Sequence, residues 1–337
     1  MENRIQILKE KMLSQPRYVS IEQALIITRT YKEHEGESAQ MKRAYALYNA
    51  LNELEIGVEP EELIVGNRTK GVRYGVVFPE SGISWVDQEL ETIDSRPQDR
   101  FQVRPEDIET FRKEILPYWK GKSLEDVLRK RAGDQIDAIS KVVKINQKDH
   151  AQGHICPNVA EWLEKGPQGL KDEALYHLET CTSDKQDFYR SIVLIMEGVQ
   201  NFMMRYHDLL LKEAAKTSQH ASTMKKVAEI CANLSRRPAR TFHEAVQSMW
   251  FLFVILHMES NASSFSPGRL DKTLYPYYKK DKEELLINDK EALEIIECLW
   301  LKFNQIVYLR NKNSAKYFAG FPIGFNIAIG GQDENGN

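Results

Sequence analysis

A mainly α-helical fold that ends on one extended strand is the fold class that the sequence predicts. Apolar residues recur every three or four positions over long stretches, which is the period of one face of an α-helix. Several of these stretches begin with residues that commonly cap helices. A convincing alternation of apolar residues, as in a strand, appears near the end of the sequence, over residues 322–329.

The first helix starts carry the capping-box pattern, in which a serine and a residue three positions later bond to free backbone N–H groups. Residues 20–23, SIEQ, predict a helix that opens at Ser20, and residues 183–186, SDKQ, predict one that opens at Ser183. The apolar stripe that follows the second box consists of Phe188, Ile192, Ile195, Val199, Phe202, Tyr206 and Leu210. Its spacing predicts one long helix with a single buried face.

Two more helices are predicted further along the chain. Thr241 caps the first, and its body over residues 249–258, MWFLFVILHM, has no polar face, so we expect it to be buried on every side. Asn288 or Asp289 caps the second. The residues of this second helix that we expect to face the core are Leu293, Ile296, Trp300 and Phe303.

The last predicted element is a largely buried strand over residues 322–329, followed by a break at Gly330 and its neighbouring glycine. A strand needs a partner for its N–H and C=O groups, and no later strand follows in the sequence. We therefore expect the chain to be the front part of a longer protein.

Charge and composition predict a cytoplasmic protein with neither nucleic acid nor membrane as a partner. The formal net charge is -3 and the isoelectric point is about 6.3, so no basic field attracts polyanions. The longest apolar run, residues 249–258, is too short to cross a bilayer. The four cysteines are Cys156, Cys181, Cys231 and Cys298. They lack CxxC spacing, which predicts packing thiols and neither a zinc site nor a disulfide framework.

Polar residues are densest in HMESNASSFSPGRLDKTLYPYY, residues 257–278, directly after the predicted buried helix. Polar groups that emerge from a core must find partners. One interpretation is a substrate pocket lined by hydroxyls and a carboxylate. The other is a helix end and a Ser-Pro turn, with Arg269 and Asp271 starting the next helix, and the residues alone leave both open.

Three separate motifs in this sequence resemble those of a known family. ESNASSFSPGRLDKTLYPYYKKD, ELIVGNRTKGVRYGVVFPE and GHICPNVAEWLEKG are together similar to the N-terminal part of the glycyl radical enzymes, in their pyruvate formate-lyase-like and glycerol dehydratase-like branch. The resemblance implies that residues 1–337 form a partial N-terminal domain. It also implies a mainly helical portion of an α/β ten-stranded barrel, incomplete and ending on an early barrel strand.

The resemblance further implies which chemical parts this chain lacks. Family members carry a catalytic cysteine in a Gly-Cys-x-Glu motif and a radical-bearing glycine in an Arg-Val-x-Gly-Tyr motif, and neither motif occurs here. We therefore expect no catalytic residue and no bound cofactor in this chain. The parent enzyme is expected to need a glycyl radical that an activating enzyme installs with S-adenosylmethionine and an iron–sulfur cluster. It is expected to be a homodimer that acts on a small polar organic substrate.

Three positions match substrate-binding positions of the family, His154, Ser264 and Asp271, and the neighbouring Ser263 is a fourth candidate substrate contact. His154 matches a histidine that contacts substrate hydroxyls, and Asp271 matches a carboxylate that meets a cationic substrate in an amine-binding relative. The plain alternatives are a hydrogen-bonded loop histidine, a helix-capping role for Ser264 and a first-turn carboxylate at Asp271. Ser263 stands where the dehydratases have histidine, which puts glycerol or propanediol in doubt as substrate. No metal site is expected, because no ligand cluster has the required spacing.

The function implied for the complete protein is that of a dehydratase or a related C–O or C–N lyase. A pyruvate formate-lyase-like formate acetyltransferase is one alternative, and a catalytically silent helical interaction module is another. Cleaving pyruvate would need a cationic group for its carboxylate. Arg269 is the only arginine in the pocket stretch, and we expect it to pair with a neighbouring acid instead.

Overall fold

Helices dominate the computed structural model, which describes residues 4–143, 154–260, 264–319 and 323–332. This confirms the mainly helical prediction. The longer helices are α1 Arg4–Ser14, α2 Glu22–Glu33, α3 Ala39–Glu53, α7 Leu124–Ser140, α8 Val159–Thr180, α9 Gln186–Ala214, α10 Ala221–Leu234, α11 Phe242–Glu259, α12 Leu270–Glu283 and α13 Asp289–Phe303. The shorter ones are α4 Ser84–Glu89, α5 Pro105–Thr110, α6 Leu116–Trp119 and α14 Lys312–Phe318. In the described ranges no helix combines the length and the apolar character that crossing a bilayer requires.

Four short strands form two parallel pairs within the described residues. β1 Val19–Ser20 pairs with β2 Gly75–Val76, and β3 Gly268–Arg269 pairs with β4 Ile327–Ala328. The expected terminal strand is therefore shorter than predicted, and its partner, β3, lies earlier in the chain. It is also not largely buried, since Ile329 is 69% exposed. Alternating apolar residues indicate which face of a strand could pack against other residues, and here the described residues cover that face of the strand only in part.

The core is centred on α11, as its apolar sequence predicted. Fifteen of its 18 residues are buried, including Trp250 and Phe251, so other elements pack around the whole helix. The long helix α9 packs on α3, α8 and α10. Its predicted stripe is confirmed from Val199 to Leu210, whereas Phe188 at its start is exposed. A smaller core lies between α2, β1 and the residues around α4 to α6.

Side chains of α11 hold the irregular segment 63–66 against the core. His243 Nε2 donates to the carbonyl of Leu63 at 2.7 Å. Gln247 both accepts from the N–H of Val65, at 2.8 Å, and donates to its carbonyl, at 2.7 Å. Because extended backbone in a core must find hydrogen-bond partners, these polar residues are what allows segment 63–66 to be buried without sheet neighbours.

Helix starts agree with the predictions at two of four positions. Thr241 caps α11, and Asn288 caps α13 in a complete capping box. Ser20 is no cap, because it belongs to β1 and α2 begins after Ile21. Ser183 is no cap either, since it lies in a short 3₁₀ turn that runs directly into α9. At the two incorrect positions, strand pairing or a tighter turn satisfies the backbone instead of the serine hydroxyl.

The buried face of α13 differs from the predicted one. Leu293 and Trp300 are 57% and 40% exposed, which contradicts the expectation that they face the core. The buried residues are Ile295, Cys298 and Leu299, together with Phe303, as expected. Both sets of residues recur at helical spacing. The set that is buried lies on the side of α13 that packs against α1 and α11.

Candidate functional site

Two segments that are far apart in sequence join at the predicted pocket. The carbonyl of Ser264 accepts hydrogen bonds from the N–H groups of His154, at 3.0 Å, and Ile155, at 3.3 Å. The N–H of Ser266 then donates to the carbonyl of Ile155 at 2.8 Å. Residues 154–155 and 264–266 therefore run side by side in the manner of two parallel strands, with Ile155 opposite Phe265.

The side chains of His154 and Ser264 meet directly. Nδ1 of His154 lies 2.9 Å from Oγ of Ser264, a hydrogen bond in which the tautomer decides the donor. Ser264 is buried, whereas His154 is exposed, so the pair connects the interior with an accessible surface. His154 has φ +134°, a backbone conformation that costs about 1–3 kcal/mol for a residue other than glycine. Strain of this kind persists where surrounding contacts hold it, and here the hydrogen bonds to Ser264 do so.

Asp271 forms its hydrogen bonds with residues other than His154 and Ser264. Its carboxylate accepts from Nε of Arg269 at 3.1 Å and from the backbone N–H of Gly330 at 2.8 Å. The hydrogen bond from Arg269, followed by those from backbone N–H groups, lowers the pKa of Asp271 to about 2. It lies in the first turn of α12, as the plain alternative predicted. Asp271 thus connects the start of α12 to the turn after β4, and Arg269 pairs with a neighbouring acid as expected.

The structure rules out the helix-capping role for Ser264. α12 begins after Arg269, which occupies the cap position, so Ser264 does not cap this helix. Ser263 lies outside the described residues. The structure therefore brings together two of the four predicted positions, His154 and Ser264, and assigns Asp271 to a separate contact.

Two contacts of this region were missed by the sequence analysis. Gly268 has φ +73°, and a Cβ atom added there would lie 2.8 Å from Sγ of Cys156. The hydroxyl of Ser266 accepts the N–H of Asn326 at 3.0 Å, which positions β4 beside β3. A Ser-Pro-Gly turn is visible in the sequence, but nothing in its spacing indicates which distant residue packs on its glycine.

The four cysteines differ in how far they are buried. Burial raises the pKa of the Cys298 thiol to about 12 and also raises that of Cys231, which confirms both as packing thiols. Cys181 is partly buried, and Cys156 is exposed although its Sγ packs against Gly268. No cluster of three or more potential metal ligands occurs in the described ranges.

Comparisons with known proteins identify a family. The family described as pyruvate formate lyase-like matches residues 1–337. A probable dehydratase of Escherichia coli K12, YbiW, is 30% identical over 327 residues, covering 94% of this chain and 40% of the relative. The (2S)-3-sulfopropanediol dehydratase of Klebsiella oxytoca is 27% identical over 352 residues, covering 99% of this chain and 42% of the relative.

Solved structures give the same result for the fold. The glycerol-bound B12-independent glycerol dehydratase of Clostridium butyricum matches with a TM-score of 0.94 and 33% identity, over 100% of this chain and 44% of that one. A structure from Roseburia inulinivorans, described for 1,2-propanediol dehydration, matches with a TM-score of 0.95 and 31% identity, over 100% and 41%. The chain thus spans about two fifths of the length of the proteins that it matches.

Proposed function

The chain belongs to the pyruvate formate lyase-like family, and we propose that the complete protein is a glycyl radical enzyme that eliminates a group from a small polar substrate. The reaction class is that of a dehydratase or a C–O or C–N lyase. In this proposal residues 1–337 supply an N-terminal helical scaffold and one side of the substrate pocket. Most of the barrel, the catalytic cysteine and the radical glycine belong to the rest of the protein.

The observation that carries the proposal is the hydrogen bond between His154 and Ser264. A buried hydroxyl next to an accessible imidazole offers both a donor and an acceptor to a substrate hydroxyl, which suits a polyol-like or hydroxylated substrate. Such groups act by holding the substrate in place, and correct placement of reacting atoms accounts for a large part of enzymatic rates. Ser263 remains a candidate contact beside them.

In glycyl radical enzymes the radical, relayed through a cysteine, removes a hydrogen atom from the substrate. The role of this chain's residues is to orient the substrate bond and to keep water out. The backbone of His154 is strained, but its N–H is hydrogen-bonded to the carbonyl of Ser264. This bond favours a fixed position of the imidazole over a mobile one. Asp271 acts indirectly in this proposal, because its contacts with Arg269 and Gly330 hold β4 beside the pocket stretch.

The pairing of Arg269 favours a lyase over a formate acetyltransferase. Pyruvate carries a carboxylate that needs a cationic partner, whereas the guanidinium of Arg269 is bonded to Asp271. The relatives reported above are dehydratases, which supports the same choice. The proposal also includes a cytoplasmic location, a homodimer and an activating enzyme with S-adenosylmethionine and an iron–sulfur cluster.

Replacing the pocket hydroxyl in the full-length protein tests this function. Ser264→Ala removes the bond to His154, and we expect kcat/KM to fall about tenfold, the loss that one hydrogen bond of ordinary strength predicts. The glycyl radical content, measured by electron paramagnetic resonance, should be unchanged. Ser266→Ala is the matched control, since its hydroxyl bonds to the backbone of Asn326 and not to His154. Equal losses of kcat/KM in both variants, or normal turnover by Ser264→Ala, would contradict the proposed pocket.

A further inference from the structure

Helix α13 carries a line of exposed residues that the proposed function does not use. Lys290, Leu293, Glu297 and Trp300 follow one another at intervals of three, four and three residues, so they lie along one side of the helix. The buried residues of α13 pack toward α1 and α11, and the exposed line lies on the side that faces away from them. We call these four residues the outer stripe of α13.

The outer stripe contains large apolar side chains. Leu293 and Trp300 are both exposed, and Leu286, four residues before Lys290, continues the same line ahead of the helix and is exposed too. A single exposed apolar residue is ordinary, but several along one line mark a surface that packs against another molecule. Apolar residues on two sides of one helix therefore indicate two packing surfaces, and the described residues cover one of them.

The two charged residues of the outer stripe are available to a partner. Neither Lys290 nor Glu297 forms an ion pair or a side-chain hydrogen bond among the described residues. The three other acidic residues of α13, by contrast, each bond to a group of their own chain. The stripe therefore presents one free charge of each sign beside its apolar side chains.

The order of these residues fits a two-fold symmetric pair of helices. Lys290 and Glu297 lie at equal distances, about 5 Å along the helix axis, on either side of the point between residues 293 and 294. A two-fold axis through this point pairs α13 with the α13 of a second copy in antiparallel orientation. Lys290 of each copy is then level with Glu297 of the other. The two Leu293 side chains meet at the axis, and each Trp300 is level with residues 286–287 of the other copy.

The charges select the antiparallel orientation over the parallel one. A parallel pair would set the two copies of Lys290 against each other, and likewise the two copies of Glu297, and like charges opposed across an interface weaken association. In the antiparallel pair both contacts join opposite charges. A partner of different sequence needs no such symmetry, so the matched order of the charges favours a second copy of this chain as the occupant.

We propose that the outer stripe of α13 binds the same stripe of a second copy of this protein. The proposal assigns a contact surface to the homodimer that is part of the proposed function, and it rests on that part alone. Ile7 of α1 lines a groove together with Lys290, Leu293 and Glu297, which lets the contact extend from α13 onto α1. This extension matters because a stable interface buries about 800 Å² on each partner, more than one side of a helix of 15 residues presents.

Native mass spectrometry of the full-length protein tests which copies pair. Lys290→Glu and Glu297→Lys each oppose like charges at both contacts, so each variant should dimerise at least about tenfold more weakly with itself than the unaltered protein does. An equimolar mixture of the two variants, one labelled with nitrogen-15, should pair differently at equilibrium. The new glutamate of one copy then faces the new lysine of the other, and the second contact keeps its native charges. Heterodimers should therefore make up about nine tenths of all dimers, against about half for random pairing.

A matched control separates this pairing from a general attraction between oppositely altered chains. Lys225→Glu makes the same charge change at an exposed position of α10, away from the stripe. Mixed with Glu297→Lys, it leaves one favourable and one unfavourable contact in the heterodimer, so we expect about half of the dimers to be mixed. Equal enrichment of heterodimers in both mixtures, random pairing of Lys290→Glu with Glu297→Lys, or an unaltered protein that sediments as a monomer would overturn the proposal. These measurements follow mass and not turnover, so their outcome is separate from that of the proposed reaction.

Discussion

Two buried histidines make the stability of this protein sensitive to mild acid. Burial lowers the pKa of His243 to about 4 and that of His257 to about 3, from an ordinary value of 6.5. Each ring uses one nitrogen as a donor to a backbone carbonyl, of Leu63 and Phe253 respectively. At His243 the cost of burying a charge outweighs the favourable field of Glu244, and at His257 the nearby Arg68 adds to that cost, so folding keeps both rings neutral.

The sign and size of the effect follow from proton linkage. The unfolded chain binds protons at these rings as pH falls below 6.5, whereas the folded chain does not until pH approaches its lowered pKa values. Stability is therefore fully present above pH 6.5 and decreases below it. Between pH 7 and pH 5 we expect each histidine to remove about 2 kcal/mol from the free energy of unfolding, and the two together about 4 kcal/mol.

Urea unfolding at pH 7 and pH 5, followed by circular dichroism, measures this difference. Two variants isolate the histidines from the carboxylates, which also titrate. In His243→Gln the amide nitrogen can replace Nε2 and donate to Leu63, and in His257→Asn it can replace Nδ1 and donate to Phe253. Each variant should be less sensitive to acid than the unaltered protein by about 2 kcal/mol. If both variants lose as much stability between the two pH values as the unaltered protein does, the two rings are not kept neutral by folding.

Two further predictions concern single contacts. Gly268→Ala should destabilise the protein by about 2 kcal/mol or more, because φ is positive there and the new Cβ meets Sγ of Cys156. Adding Cys156→Ala should restore the part of this loss that is due to the clash. If thermal melting shows no recovery in the double variant, the two residues do not touch. Lys302→Met should cost about 3–5 kcal/mol, because it leaves Glu62 buried without its ion-pair partner at 2.5 Å. Adding Glu62→Gln should recover part of this loss in a urea titration, and a double variant no more stable than Lys302→Met would contradict the explanation.

Helix starts show what could be predicted from local sequence. Thr241 and Asn288 were correct because their caps involve only residues within one turn. Ser20 and Ser183 have the same pattern but different outcomes, since Ser20 pairs with β2 from a distant part of the chain. On α13, the predicted face that includes Leu293 was wrong, because helical spacing alone permits more than one apolar stripe and packing partners select between them.

The candidate site shows the corresponding limit for function. Resemblance to a family indicated His154 and Ser264 separately, but their hydrogen bond joins residues 110 positions apart. The spacing of apolar residues along the sequence cannot predict a contact between residues so far apart. The contact between Cys156 and Gly268 was missed for the same reason, and so was the bond from Gly330 to Asp271, which depends on a strand pairing that the sequence does not reveal.

The end of α11 explains how the helical body positions the pocket stretch. The last carbonyls of a helix have no partner inside it, and many helices satisfy them with a glycine cap. Here three side chains from other segments bond to the carbonyls of residues 257–259 in order: Arg68 at 3.3 Å, Gln23 at 2.8 Å and Arg43 at 3.0 Å. The two arginines also complement the negative end of the helix dipole. These bonds fix the last carbonyls of α11, at the start of the pocket stretch. The buried side chain of Arg68 thereby helps to hold the first residue of the pocket stretch from the core side.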